Sequence, residues 1–186
     1  PDEELPELNA DRFNEERDML LNRKWGMVYF PPRGIGPTAW TPDPKEQTHI
    51  RRRFALLGQT LDGMRVWDIR RSISALRSFE GMQKPQLWIQ AKDNMAGNAL
   101  YASIFEKDIH RLDLHQLPAS HRDGPTYLNV LRFTDIPQVT AMAAQSSQIR
   151  IYSDEKKEFQ YVTDAVKRYE WPENQFQIRE ISGEAQ

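Results

Sequence analysis

Two acidic residues and one histidine stand where side chains can do chemistry. Asp93 lies in "QAKDNMAG", a polar turn between the apolar run "PQLWI" and the small-residue run "NALYASIF". A strand, a tight turn and a helix opening on small residues make the shape of a nucleophile elbow, although the pattern G-x-S-x-G is absent. A carboxylate in such a turn can attack an electrophilic carbon and carry a covalent intermediate. His121, in "PASHRDGP" beside Asp123, has the ring chemistry of a general base. Asp154, in "IYSDEKK", is placed to be the acid that orients such a base. Each also has an ordinary reading: Asp93 with Asn94, and Ser153 or Asp154, suit helix N-caps, while Asp123 and Gly124 suit a turn. Lys92 and Asn94 flank the first turn, and Arg33 with Gly34 follow an earlier apolar run, so these four are candidate binding groups.

The elements that would position these residues alternate along the chain. "DRFNEERDMLLNRKW" reads as a helix behind a cap at Asn9 or Asp11. "GMVYFPP" reads as a strand buried on both faces, and "RGIGPTAWTPDP" as a loop. From His49 to Phe79, apolar spacing of three and four predicts one long helix or a pair broken near Gly58 or Gly63. "QLWIQ", "IHRLDLHQL", "QIRIYS" and "FQIREIS" read as further strands. The helices between them fall on "NMAGNALYASIFE", on a segment beginning near Pro137, and on "EKKEFQYVTDAVKRYEW". The expectation is an α/β fold: one domain over 1–186, with a mostly parallel sheet of about five strands and helices on both faces. In such sheets ligands bind beyond the carboxyl ends of the strands, where Lys92 to Asn94, His121 and Asp154 all fall.

Composition narrows the chemistry. With 25 basic and 27 acidic side chains the formal charge is -2, which offers no electrostatic footprint for nucleic acid or an anionic membrane. Apolar runs stay below about 10 residues, against the roughly 20 that a membrane helix requires, so a soluble protein is expected. The absence of cysteine removes disulfides, thiolate metal sites and a cysteine nucleophile. His110 and His115, spaced by five along one strand, face opposite sides and cannot jointly bind one metal, so neither a metal nor a cofactor is expected. The charge run around Arg51, Arg52 and Arg53 reads as a solvated helix surface paired with residues such as Asp62 and Asp68. Arg65 and Asp68 are candidates for bracing the loop beneath the elbow. Trp25, Tyr29, Trp67 and Trp88 read as core. No leader is visible in the acidic start, so the compartment is open and export would require a signal upstream.

The order of elements, "PPRGIGPTAW" after the first run, and the pair "QAKDNMAGNALYASIF" and "LDLHQLPASHRDGP" resemble the C-terminal part of an α/β-hydrolase. The branch is that of acetyl xylan esterase-like, dienelactone hydrolase-like and prolyl oligopeptidase-like proteins. The resemblance implies that "MVYFPPRG" is the family's fourth strand, "QLWIQA" its fifth, and "QIRIYS" and "FQIREI" its seventh and eighth. It lays G-x-S-x-G over Ala91-Lys92-Asp93-Asn94-Met95, with Asp93 at the nucleophile position and Asp154 at that of the acid. The base expected after the eighth strand is missing, because "REISGEAQ" holds no histidine. The first three strands of the family are also missing, which implies either a piece of a longer protein, its sheet edge covered by an upstream domain or a second subunit, or strands re-paired into a smaller five-stranded sheet. Two functions follow as expectations: a degenerate structural or accessory domain of ester-hydrolase lineage, or an acyl hydrolase acting on a small ester or carbohydrate ester through Asp93.

Overall fold

The computed structural model describes residues 10–154 and 156–180; Asn9 as a cap and the tail from Ile181 lie outside them. The chain falls into two units, 1–47 and 48–186. In the first, helix α1 (Ala10–Asn22) is followed by an extended run and a single 3-10 turn at Gly36–Thr38. The turn is closed locally, with the Thr38 hydroxyl donating to Pro32 O at 2.6 Å and Gly34 N–H to Thr38 O at 3.2 Å. "GMVYFPP" is not a strand, which corrects the expectation: its apolar residues face solvent, Tyr29 being 82% exposed. β-branched and aromatic composition favours a strand only where a neighbour supplies the ladder. Arg33 and Gly34 belong to this first unit.

Helix α2 (Pro44–Leu56) leads into the second unit, and α3 (Leu61–Ser78) opens on Thr60, whose hydroxyl accepts from Gly63 N–H at 3.0 Å. The break between α2 and α3 falls beside Gly58, which decides between the one long helix and the broken pair that the apolar spacing left open. Strand β1 (Leu87–Lys92), helix α4 (Asn94–Phe105), strand β2 (Ile109–His115), helix α5 (Ile136–Ala143), strand β3 (Gln148–Tyr152), helix α6 (Gln160–Arg168) and strand β4 (Phe176–Arg179) follow. Among the described residues four strands form one parallel sheet in the order β1-β2-β3-β4.

That sequential order places α4, α5 and α6 on one face, because each parallel crossover has the same hand. The rows Ile89, Leu112, Ile149, Phe176 and Ala91, Leu114, Ile151, Ile178 are in register and face those helices. They pack with Leu100, Ile136, Val139, Phe159 and Val162, and with Ile69 and Ile73 of α3. Each buried Leu or Ile contributes roughly 1.5–3 kcal/mol. Helices on both faces were expected, yet within this unit the opposite face is polar. One row there is Gln90, Asp113, Arg150, Gln177, and the next is Lys92, His115, Tyr152, Arg179. Arg111 and Asp113 form an ion pair at 2.8 Å, and the His115 and Tyr152 rings stack at 4.2 Å. Nor are Trp25, Trp67 and Trp88 core, since each is exposed, Trp67 by 50%. No helix among the described residues is long and apolar enough to cross a membrane.

Candidate functional site at the turn after the first strand

β1 hands the chain to α4 through Asp93 alone. Its backbone stands at φ 54, ψ −134, outside every region that a residue with a Cβ occupies comfortably. The turn is held from both sides: Asp93 N–H donates to His115 O at 2.9 Å, and Ala96 N–H donates to Asp93 O at 2.9 Å. The Asp93 carboxylate is exposed and makes no capping hydrogen bond to α4. The cap alternative therefore has no support here: the side chain is displayed, and the strain of about 1–3 kcal/mol that displays it is offset by the packing of strand and helix. Asp93→Gly is expected to raise stability by about 1 kcal/mol, because glycine accepts this conformation freely. Urea unfolding checks it, and a less stable variant would show that the carboxylate has a stabilising partner.

α4 can approach the neighbouring loop closely because its first turns carry small residues. Ala96, Gly97, Ala99 and Ala102 are buried, and a Cβ at Gly97 would stand 2.5 Å from Pro125 Cδ. Gly124 lies against the side chain of Asn94, whose Oδ1 would be 2.3 Å from an added Cβ. The loop at 121–127 thus lies across the start of α4, directly beneath the elbow.

His121 lies in that loop and is buried. Its Nδ1 is 2.7 Å from Pro125 O; a carbonyl only accepts, so Nδ1 carries the proton and donates. Nε2 then accepts from the Tyr101 hydroxyl at 2.7 Å. Burial, helped by the charge of Asp135, pushes the Tyr101 phenol up to about 12, which keeps it protonated as that donor. The acid tied to His121 is Asp135, which accepts from the His121 amide at 2.8 Å, the Ser120 hydroxyl at 2.7 Å and Ile136 N–H at 2.8 Å. Burial acts to raise the Asp135 carboxyl, but these donors outweigh it and hold it below the usual 3.8. Its neighbour Asp123 is exposed.

A second knot sits behind the first. Asp62 accepts from Thr126 N–H at 2.8 Å, Arg65 Nη1 at 3.2 Å and Asn98 Nδ2 at 3.3 Å. Asn98 in turn accepts from the Tyr127 hydroxyl at 2.6 Å, and the Tyr101 and Tyr127 rings pack at 4.6 Å. Burial, with the charge of Asp62, pushes the Tyr127 phenol far up, so it too stays a donor.

Asp154 is exposed, in the turn after β3. Its neighbour Ser153 is buried and donates from its backbone to Arg179 O at 3.0 Å. β2 separates the two turns, and strands lie about 4.8 Å apart, so the turn after β3 stands roughly 10 Å from Asp93. Asp93, Lys92 and Asn94 share one turn, and Asn94 also touches the loop of His121.

No protein-family model matches the sequence, and no curated protein matches it. In structure the chain is similar to a candidate acetyl xylan esterase from Bacteroides fragilis, with a TM-score of 0.66 and 12% identity. The match covers 87% of this chain and 48% of that one, so the chain spans about half the length of its structural neighbour. The two share the arrangement of an α/β fold. At this identity the likeness concerns backbone arrangement alone.

Asp62, read from the sequence as an ion-pair partner on a solvated helix surface, is buried instead; Tyr101, Tyr127, Asn98 and Asp135 are absent from the residues singled out in the sequence. Two of them left a signal there. Asn98 interrupts the otherwise small and apolar "MAGNALYASI", and a polar residue in a buried helix requires partners. "DIPQ" opens α5 as a capping box with Pro in the first turn, which marks Asp135 as a structural carboxylate. Among the described residues no group of three or more His, Asp or Glu could hold a metal ion.

Proposed function

We propose that this chain is an α/β-hydrolase-like domain of carboxylic-ester hydrolase lineage that does not itself hydrolyse esters and serves as a structural or accessory domain. Its partner is an upstream domain or second subunit that covers the sheet edge at β1. The observation that carries this reading is the engagement of His121, whose ring nitrogens are each committed at 2.7 Å to groups other than Asp93. A general base must have a free lone pair within reach of the proton it takes. His115, at the end of β2, has its Nε2 3.1 Å from Gln90 Nε2 and its ring stacked on Tyr152, on the face opposite the core. Asp93 therefore keeps an elbow without a catalytic partner.

A second reading is favoured by the display of Asp93: a strained, exposed and uncapped carboxylate is the geometry of a nucleophile. In it, a carboxylate oxygen attacks the acyl carbon of a small ester or carbohydrate ester, the alkoxide leaves with a proton, and water hydrolyses the resulting anhydride. The base for the second step comes from a neighbouring segment. Turnover of p-nitrophenyl acetate separates the two readings. The expected result is hydrolysis no faster than the buffer; turnover abolished by Asp93→Asn and untouched by Lys84→Ala would establish the second.

A further inference from the structure

The dipeptide Asp-Gly occurs at Asp62-Gly63 and again at Asp123-Gly124. In such a pair the backbone nitrogen of the glycine can attack the carboxyl carbon of the aspartate before it, since no Cβ shields that nitrogen. The fold treats the two sites differently. Asp62 is buried, and its carboxylate accepts from Arg65, Asn98 and Thr126. Gly63 N–H donates to Thr60 Oγ1 at 3.0 Å in the first turn of α3. Asp123, by contrast, is exposed, in a turn that its own N–H closes on Ser120 O at 3.1 Å. Among the described residues its carboxylate takes no hydrogen bond or ion pair, and the Gly124 N–H donates none. Attack by the Gly124 nitrogen therefore breaks no hydrogen bond, whereas attack by that of Gly63 requires α3 to open.

We propose that Asp123-Gly124 is a site of spontaneous backbone modification, at which aspartate converts to isoaspartate and the loop is thereby freed from α4. The Gly124 nitrogen bonds to the carboxyl carbon of Asp123, and its proton leaves with a carboxyl oxygen as water. The product is a cyclic imide. One water then opens the ring: addition at the side-chain carbon restores aspartate, and addition at the main-chain carbon leaves the glycine linked through the side chain. One water leaves and one enters, so no other reactant is required. Isoaspartate routes the main chain through Cβ, which adds one bond of about 1.5 Å between anchored points. On one side Asp135 holds the His121 N–H at 2.8 Å and the Ser120 hydroxyl at 2.7 Å. On the other, Asp62 holds the Thr126 N–H at 2.8 Å. Between them Gly124 lies on Asn94, and Pro125 on Gly97, too closely to admit even one added Cβ at either glycine. The extra bond has no room in that contact, so the loop lifts from the start of α4.

Incubation of the folded chain for weeks at neutral pH and body temperature, followed by peptide mapping with electron-transfer fragmentation, tests this. The expected result is isoaspartate at position 123 at least about tenfold above that at 62, where reaction waits on local opening. In the guanidinium-unfolded chain the two sites should react alike, because the fold and not the dipeptide selects between them. Asp123→Glu, whose longer side chain would have to close a larger ring, should abolish the product at that position. In the modified fraction the Thr126 amide should exchange faster, as its bond to Asp62 loosens. Isoaspartate absent from 123, or equal at both positions of the folded chain, overturns the site, and so does a difference that persists in guanidinium. Unchanged exchange at Thr126 in the modified fraction overturns the release of the loop.

Discussion

Asp62→Ala is expected to lower the unfolding free energy by about 3 kcal/mol, since breaking a buried charge network from one side strands the groups that faced it. The three groups left behind are the Arg65 guanidinium, the Asn98 amide and the Thr126 N–H. Asp62 lies on α3, Asn98 on α4 and Thr126 in the loop beneath the elbow, so one carboxylate ties together segments far apart in sequence. Asp62→Asn should recover part of the loss, because an amide oxygen still accepts one bond. Urea unfolding at neutral pH measures both. A loss below about 1 kcal/mol would mean that water takes the carboxylate's place at Arg65 and Thr126.

Gly124→Ala is expected to cost about 2–4 kcal/mol, the sum of backbone strain and a forced displacement of Asn94. Glycine stands there at φ +124, where side chains are rarely found, and the added methyl would meet the amide of Asn94 at 2.3 Å. Gly97→Ala separates the two causes. Gly97 sits in a helix, where alanine is favoured by about 1 kcal/mol, so any net loss there comes from the contact with Pro125 alone. Should Gly124→Ala prove as stable as the parent by urea unfolding, the loop must be free to leave the elbow. A crystal structure of that variant would then show Asn94 and the loop separated.

The α/β class, the break between α2 and α3 and the four strands from β1 to β4 are legible in the sequence because they rest on local periodicity and chain punctuation. That "GMVYFPP" forms no strand was not, since its composition suits a ladder but whether a partner strand is there is a matter of tertiary arrangement. One-sided burial could have been read: "LWIQAK" and "QIRIY" alternate apolar with polar, the signature of a half-buried strand, and not the continuous apolar run of a strand covered on both faces.

The turn at Asp93 shows the division most clearly. Sequence alone determined that a strand, a polar turn and a small-residue helix follow one another, and that a carboxylate occupies the turn. Whether that carboxylate caps its helix or is displayed is set by φ 54, ψ −134, a conformation that no local preference selects and that β2 and α4 impose. In the same way a histidine with an aspartate two residues on reads as a base with its acid. The tertiary structure instead gives His121 to Tyr101 and the Pro125 carbonyl, because a buried polar ring takes the partners that packing brings to it, wherever they lie in the chain.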